Sequence, residues 1–397
     1  MSTVLPPLRL KRNEDRRIAA GHQWVFSNEV DTSATPLPAF KAGDVCRIVS
    51  DKDKFLGFAY VNPATLICAR VLGRDPKFAP GKGLFVHRLQ VALALRERLY
   101  SKPFYRLIFG ESDGLPGLVV DRYGDVVVGQ IGTAGMEAFK QEIADAIVQV
   151  LKPKAMLWKN DSGARELEGL PAYVEPAFGD VPAVIEVEEN GVKFKVSLVD
   201  GQKTGWFYDQ AANRRAFLKY VKGASVLDVF SYVGSWGLSA AKAGASAITC
   251  VDSSASALQL LNDSAGANKL KASTEKGDAF KTMEAMIAAG RKFDIVVIDP
   301  PAFIKRKKEI PKGEAAYRRL NQLAMQLLNR DGILVSCSCS YHLSAEALLV
   351  AIQKSARHLN RFAQVIEVGG QAPDHPIHPG IEETRYLKTF ICRVVTE

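Results

Sequence analysis

The chain has 397 residues, more than one core usually holds, and its 47% hydrophobic and 24% charged residues describe a globular protein of two or three domains. No run approaches the roughly 18 apolar residues of a membrane span, and the N-terminus is polar and basic, unlike a signal peptide, so a cytoplasmic protein with no membrane partner is expected. The net charge of +9 points towards a polyanionic partner; the six cysteines lack a CxxC pair and are expected to be reduced thiols that hold no metal.

Residues 1 to about 75 read as a small β-rich unit. Its alternating runs, Val45 to Val49 and Phe55 to Tyr60, are punctuated by Gly43, Gly57 and Pro63, and a small barrel is their simplest closure. Asp75 to Lys82, with Pro76, Pro80 and Gly81, is a candidate linker. Residues 76 to 190 mix types: a helix near 84 to 100, a strand pair near 117 to 130 turning at Tyr123-Gly124-Asp125, and a helix near 135 to 151. An α+β middle domain follows from this, with Pro171, Pro176, Gly179 and Pro182 marking its end.

From 191 to 397 strands and helices alternate, as in a parallel sheet with crossover helices. The buried strands are expected at Ser225 to Phe230, Ala247 to Asp252, Phe293 to Asp299 and Gly332 to Cys339. Two further runs, Arg361 to Val368 and Tyr386 to Val395, are joined by a Pro-rich connection and read as an antiparallel pair at the sheet edge.

The run Val226 to Gly237 is a buried strand that enters a glycine-containing loop and then a helix, the place where an open α/β sheet binds a nucleotide-like ligand. Phe230 and Tyr232 stand where a dinucleotide fingerprint has glycines, which argues against a bound pyrophosphate. A carboxylate at the strand end, Asp228, suits a cationic ligand, and Asp252, 24 residues on, has the spacing that captures ribose hydroxyls. Each acid taken alone is equally a helix cap. With Gly277-Asp278-Ala279 ending a third strand, the set resembles motifs I, II and III of the class I methyltransferases. The resemblance implies S-adenosylmethionine as cofactor, held by Asp228, Phe230, Ser231, Gly234, Asp252, Ser253, Asp278, Ala279 and Gln210.

The strand Ile295 to Ile298 leads into Asp299-Pro300-Pro301-Ala302-Phe303, whose prolines lock an extended turn that could hold an acceptor base. This motif fits nitrogen and carbon methylation alike. Carbon 5 of cytosine, however, needs a nucleophile added at carbon 6, and Ser336-Cys337-Ser338-Cys339-Ser340 supplies thiols at the end of the neighbouring strand. Cys339, nearer the carboxyl end, is the expected nucleophile, Cys337 its buried neighbour, and Asp299 the second catalytic residue. The Ser-Cys-Ser context resembles motif VI of RNA cytosine-5 methyltransferases. Many of these carry a second cysteine after the motif IV proline; here Pro301 and Ala302 occupy that place, so the base that completes the reaction is not evident.

Almost the whole chain resembles the bacterial large-subunit (23S) rRNA cytosine-5 methyltransferases with an N-terminal PUA domain. Leu10 to Phe26, Gly201 to Gln210 and Asp374-His375-Pro376 carry the resemblance along the chain. It implies a PUA-like barrel over 1–75, an α+β domain over 76–190 and a Rossmann-like class I methyltransferase domain over 191–397. Ribosomal RNA is the implied partner; a homodimer is compatible with the sequence. Gln210 and Arg214 lie one helical turn apart and either fold over the cofactor or acceptor or form a plain helix surface. His375 is a weaker candidate for a substrate contact.

Between Ile304 and Arg319 seven basic residues face two acidic ones. Lys305, Arg306, Lys307 and Lys308, beside Pro300, Pro301 and Phe303 at the proposed acceptor pocket, are candidate RNA contacts, although a solvated loop is the ordinary meaning of such a run. Arg12 and Arg16 belong to a second basic cluster on the β-rich unit, for which a folding or dimerisation role is the alternative. The competing functions are a guanine nitrogen methyltransferase, which would not need Cys339, and a non-catalytic RNA-binding protein of ribosome assembly.

Overall fold

The computed structural model describes residues 5–396. They form two compact units: the chain to Ala183 with Leu198–Gly205 and Asp374–Thr384, and Val184–Ser197 with Trp206–Pro373 and the chain from Arg385.

The first unit begins with β1 (Pro7–Arg9), the short helix α1 (Arg16–Ala19), β2 (Trp24–Phe26), β3 (Val45–Val49), β4 (Phe55–Val61) and β5 (Ile67–Gly73), in the order β1-β3-β4-β5-β2. Leu10, just beyond β1, bridges Val30, just beyond β2, so the two edges meet and the sheet closes around Leu8, Ile18, Val25, Ile48 and Ala69. Closure removes the exposed edges of a small sheet.

The chain continues through α2 (Lys82–Leu99), β6 (Phe104–Phe109), β7 (Leu118–Tyr123), β8 (Val126–Ile131), α3 (Ala134–Ala138), α4 (Lys140–Leu151), β9 (Ala155–Asn160), α5 (Ala164–Leu167) and β10 (Tyr173–Phe178). These strands form a second sheet in the order β10-β9-β8-β7-β6. α2 presents Phe85, Leu89 and Ala92 to it at helical spacing. The stretch 75–82 does not separate two independent cores. Tyr60 and Leu72 of the barrel share one cluster with Phe85 and Leu107, and the Tyr60 hydroxyl donates to Pro116 O at 2.8 Å.

The buried guanidinium groups Arg96 and Arg106 are paired with carboxylates, as low-dielectric surroundings require. Arg96 forks onto Asp113 and also donates to Asp374 O, while Arg106 forks onto Asp121 at 2.8 and 2.7 Å. Asp374 accepts from Arg106 N and, at 2.9 Å, meets His375 Nδ1. His375 is therefore a buried packing residue against Phe109, not an exposed substrate contact.

The second unit opens with a hairpin, β11 (Val184–Glu189) and β12 (Val192–Ser197). Its two-residue loop is Asn190-Gly191, both with positive φ (52° and 74°), the turn whose twist matches the flanking strands. The boundary expected at 190 thus falls inside this turn, and the whole hairpin packs with the C-terminal unit. Lys195 N donates to Ser264 Oγ, and Asn268 accepts from Lys193 N and donates to its carbonyl.

The rest comprises α6 (Ala211–Phe217), β13 (Ser225–Val229), α7 (Ser235–Lys242), β14 (Ala247–Asp252), α8 (Ala255–Ala267), β15 (Ser273–Lys276), α9 (Ala279–Ala288), β16 (Phe293–Ile298), α10 (Ile310–Leu327), β17 (Leu328–Ser338), α11 (Ala345–His358), β18 (Arg361–Gly369) and β19 (Lys388–Thr396). The seven-stranded sheet runs β15-β14-β13-β16-β17-β19-β18, with β15, β14, β13, β16 and β17 paired in parallel and β19 antiparallel to both β17 and β18. The chain leaves β13 in one direction through β14 and β15, then returns to β16 on the other side. Ligands bind at the carboxyl ends beside such a switch point. Phe230, Asp299 and Cys339 each lie one residue past the end of their strand, in the loops at that edge.

Candidate active site

The loop after β13 is held by carboxylates. Asp228, fully buried, accepts from Gly237 N of α7 at 2.9 Å; its other oxygen has no partner among the described residues. Burial pushes its pKa up to about 7, with the charges of Asp299 and Asp252 adding to the shift. Asp252 accepts from Tyr232 N and Ser254 N, both at 2.8 Å. Phe230 (φ 64°), Tyr232 (φ 51°) and Gly234 (φ 80°) all adopt the left-handed conformation. A glycine-rich backbone shape is thus kept with two aromatic side chains, at a strain of about 1–2 kcal/mol each. At Gly234 glycine is required twice over, since a Cβ there would lie 2.6 Å from Leu261 Cγ.

These residues fit an adenosylmethionine. Asp228 Oδ1 and Ser231 Oγ are buried polar atoms at the switch point without partners among the described residues, and each carboxylate oxygen of Asp252 keeps a lone pair after accepting one N–H. Asp278 is an exposed N-cap of α9, accepting from Lys281 N at 3.0 Å, and Ala279 is the buried first residue of that helix. Ser253 is exposed beside Asp252, while the cap of α8 is made by Ser254.

Gln210, expected at the cofactor, has both ends of its side-chain amide engaged by protein groups. Its amide donates to Asp299 Oδ1 at 2.9 Å and accepts from Asn213 Nδ2 at 2.7 Å. Trp236 Nε1 donates to the other Asp299 oxygen at 3.1 Å. Two donors from distant elements therefore fix the motif IV carboxyl, whose pKa burial raises against these hydrogen bonds. Arg214 is fully buried and forks onto Glu189 of the hairpin, so it forms no part of a ligand-facing helix surface.

Of the six cysteines only Cys339 is partly exposed; the other five are buried. Cys339 Sγ lies 3.8 Å from Pro300 O, which brings the thiol and the Asp-Pro-Pro turn together. Cys337 is buried and accepts from Thr389 Oγ1, and burial pushes its pKa well up. The flanking serines have a structural task. Ser338 donates to the Tyr317 hydroxyl at 2.8 Å, Ser340 shares a 3.0 Å hydrogen bond with it, and Ile304 N donates to Ser340 Oγ. Tyr317, on the buried face of α10, thereby locks both sides of the acceptor corner. Phe303 packs on Tyr317, with Phe230 and Phe280 as further ring neighbours, and Pro301 is exposed while Pro300 is buried.

Lys388 escaped the sequence reading. It stands opposite Ser338 in the β17–β19 register, and its Nζ donates to Ser340 O at 2.5 Å. Burial lowers its pKa to about 8. No local motif marks it, because only the antiparallel return of β19 carries it to Cys339.

Lys305, Arg306, Lys307 and Lys308 are all exposed on the loop between β16 and α10. Glu309 accepts from Lys305 N and Arg306 N, and Ile304 is buried under Gly313, where a Cβ would lie 2.1 Å away. The basic side chains are thus presented by an anchored backbone. Arg319 is committed to Glu284. In the N-terminal cluster Arg9 pairs with Asp53 and Arg17 with Glu29, which leaves Arg12 and Arg16 exposed, the latter 3.2 Å from Asn13 Oδ1. The Gly201 to Gly205 stretch is anchored from its own unit: Lys159 Nζ donates to Val199 O and Gly201 O, and Thr204 donates to Asp121.

Comparison with known proteins agrees with this layout. Residues 8–74 match a PUA-like domain and residues 173–389 an S-adenosylmethionine-dependent methyltransferase. The chain is 37% identical over 98% of its length to ribosomal RNA large subunit methyltransferase I of Shewanella denitrificans, covering 99% of that protein. It is 36% identical, with the same coverage, to the protein of that name from Escherichia coli O127:H6. The crystal structure of SMU.776 complexed with SAH shares the fold with a TM-score of 0.83 at 23% identity, covering 98% of this chain and 100% of that one. No helix among the described residues is long and apolar enough to cross a membrane. The strand order, the acidic strand ends and these matches together show that the chain belongs to the family of class I S-adenosylmethionine-dependent methyltransferases that includes ribosomal RNA large subunit methyltransferase I, with S-adenosylmethionine as its cofactor.

Proposed function

We propose that this enzyme methylates carbon 5 of a cytosine in large-subunit ribosomal RNA through a covalent adduct on Cys339. The observation that carries the reading is that the one partly exposed thiol lies at the end of β17 against Pro300 O of the Asp-Pro-Pro turn. Nitrogen methylation has no use for a thiol there. The relatives' names support ribosomal RNA as substrate, and the exposed Lys305 to Lys308 run suits the phosphates on either side of an unstacked base. Arg12 and Arg16 offer a second phosphate contact on the PUA-like unit.

Cys339 attacks carbon 6, and the electrons of the 5,6 double bond pass to carbon 5. Bound S-adenosylmethionine supplies the methyl group that carbon 5 then takes. Asp299, held by Gln210 and Trp236, faces the base edge without reorganising during the reaction. Asp228, Ser231 and Asp252 hold the cofactor.

RNA carrying 5-fluorocytosine tests the adduct, because fluorine at carbon 5 cannot leave as a proton does. The parent enzyme is expected to give a protein–RNA complex that survives denaturation. Cys339→Ala should lose both this complex and turnover while still binding the cofactor in calorimetry, and Cys337→Ala should keep both reactions. Full methyl transfer by Cys339→Ala would overturn the reading and favour nitrogen methylation.

A further inference from the structure

The cytosine reading leaves one step without an agent. After methyl transfer carbon 5 bears both a methyl group and a proton, and the adduct cannot open until the proton leaves. The place where many RNA cytosine-5 methyltransferases carry a second cysteine holds Pro301 and Ala302. Resting on that reading, we propose that Lys388 is the catalytic base that takes the carbon 5 proton and so releases the methylated cytosine from Cys339.

The geometry brings the amine to the end of β17, beside the residues that flank the nucleophile. Lys388 Nζ donates to the carbonyl of Ser340, the residue after Cys339, and Lys388 stands across from Ser338, the residue before it. Its backbone is locked, since Thr389 donates to Cys337 Sγ and Phe390 is in the core. Among the described residues no carboxylate forms an ion pair with Lys388, which is half-buried. The charged and titratable groups that face it are Cys339 at the end of β17 and Arg385 ahead of β19. Burial is the largest influence and lowers its pKa to about 8; Arg385 pushes the same way, and a thiolate at Cys339 pushes back.

That opposition times the base. While Cys339 is a thiolate, the ammonium of Lys388 is its counterion and favours the ionised nucleophile. Once the sulfur is bonded to carbon 6 its charge is gone, and the half-buried ammonium loses the neighbouring negative charge that favoured its protonated form. It releases a proton to solvent and becomes a neutral amine. The amine then takes the proton from carbon 5, the C–H electrons rebuild the 5,6 double bond, and the sulfur–carbon 6 bond breaks with its pair returning to sulfur. The products are methylated cytosine, thiolate and ammonium, which is the starting pair. One proton leaves to solvent in each cycle.

The test uses the full-length enzyme, transcribed large-subunit rRNA with ordinary cytosine, and S-adenosylmethionine labelled in its methyl group. Calorimetric binding of the cofactor qualifies each variant as folded. Lys388→Met should transfer one labelled methyl per enzyme into a denaturation-stable protein–RNA complex, while multiple turnover falls about 100-fold or more. Lys388→Arg keeps the cation but cannot give up a proton, so it should trap the same complex, and it carries the test alone where the methionine variant does not fold. The parent's adduct-resolution rate should rise with pH and level off below about 8, since the thiolate charge that raises the pKa of Lys388 is absent from the adduct. Turnover by Lys388→Met within threefold of the parent overturns the assignment, as does restored turnover in Lys388→Arg, which would leave Lys388 a counterion only. If instead the parent itself gives no complex with 5-fluorocytosine RNA, the cytosine reading falls and this proposal falls with it.

Discussion

At the ends of β13 and β14, carboxylates hold the backbone: Asp228 takes Gly237 N, and Asp252 takes Tyr232 N and Ser254 N. At the ends of β16 and β17 the arrangement is reversed, because side chains hold the groups proposed to react. Gln210 and Trp236 fix Asp299, Tyr317 fixes the serines around Cys339, and Lys388 arrives from the last strand. The carboxylate bonds of Asp228 and Asp252 span at most 20 residues, whereas Gln210 and Asp299 are 89 apart in sequence. A site for an invariant cofactor can be folded from one local strand–loop–helix unit. A site that must position a reactive base needs convergent side chains, and these come from several crossovers.

The largest effect is expected where the proposed acceptor half would meet RNA. Neutralising Lys305, Arg306, Lys307 and Lys308 together should reduce the slope of log K against log salt by about 3, and affinity near 0.1 M salt by as much as about a thousandfold. An unchanged slope would remove this loop from the phosphate path. Next, Asp252→Ala should weaken cofactor binding by about 1.5–3 kcal/mol, the range for losing a charged acceptor, and calorimetry reads it directly. Undiminished affinity would make Asp252 a loop clamp alone.

Gln210→Ala separates the two halves more finely. With the Asp299 carboxyl loosened, kcat/KM for RNA should fall about tenfold while cofactor affinity stays within twofold. The opposite pattern would return Gln210 to the cofactor half. The smallest effect concerns Asp228. The folded protein holds its proton up to about pH 7, whereas the unfolded chain releases it in the ordinary carboxylate range, so unfolding releases a proton between those values. Stability from this group is therefore full in acid, falls as pH rises to about 7 and then levels off. Without cofactor, the Tm of Asp228→Asn minus that of the parent should grow across this window by a few degrees. A difference that stays flat with pH would mean that Asp228 ionises in the folded protein as it does in water.

The N-terminal barrel, the central strands and the carboxyl-edge position of Asp228, Asp252, Asp299 and Cys339 were all legible from the chain, because each rests on local period, turn residues or strand–loop–helix order. The misreadings have one origin. The boundary at 190 cut the Asn190-Gly191 turn, the stretch 75–82 read as a linker though one core spans it, and Gln210, Arg214 and His375, for which a ligand contact was one of the readings, are engaged by buried protein partners. In each case the deciding partner lies far along the chain, and composition around the residue carries no trace of it. Sequence by itself determined the local strand–loop–helix units and marked the loop after β13 and Cys339 as candidates for cofactor and nucleophile. Only the tertiary structure decided which polar side chains are already satisfied and which remain to act, since hydrogen-bond partners such as Asp299 for Gln210 and Ser340 O for Lys388 become neighbours only when the parallel sheet and its antiparallel last strands close.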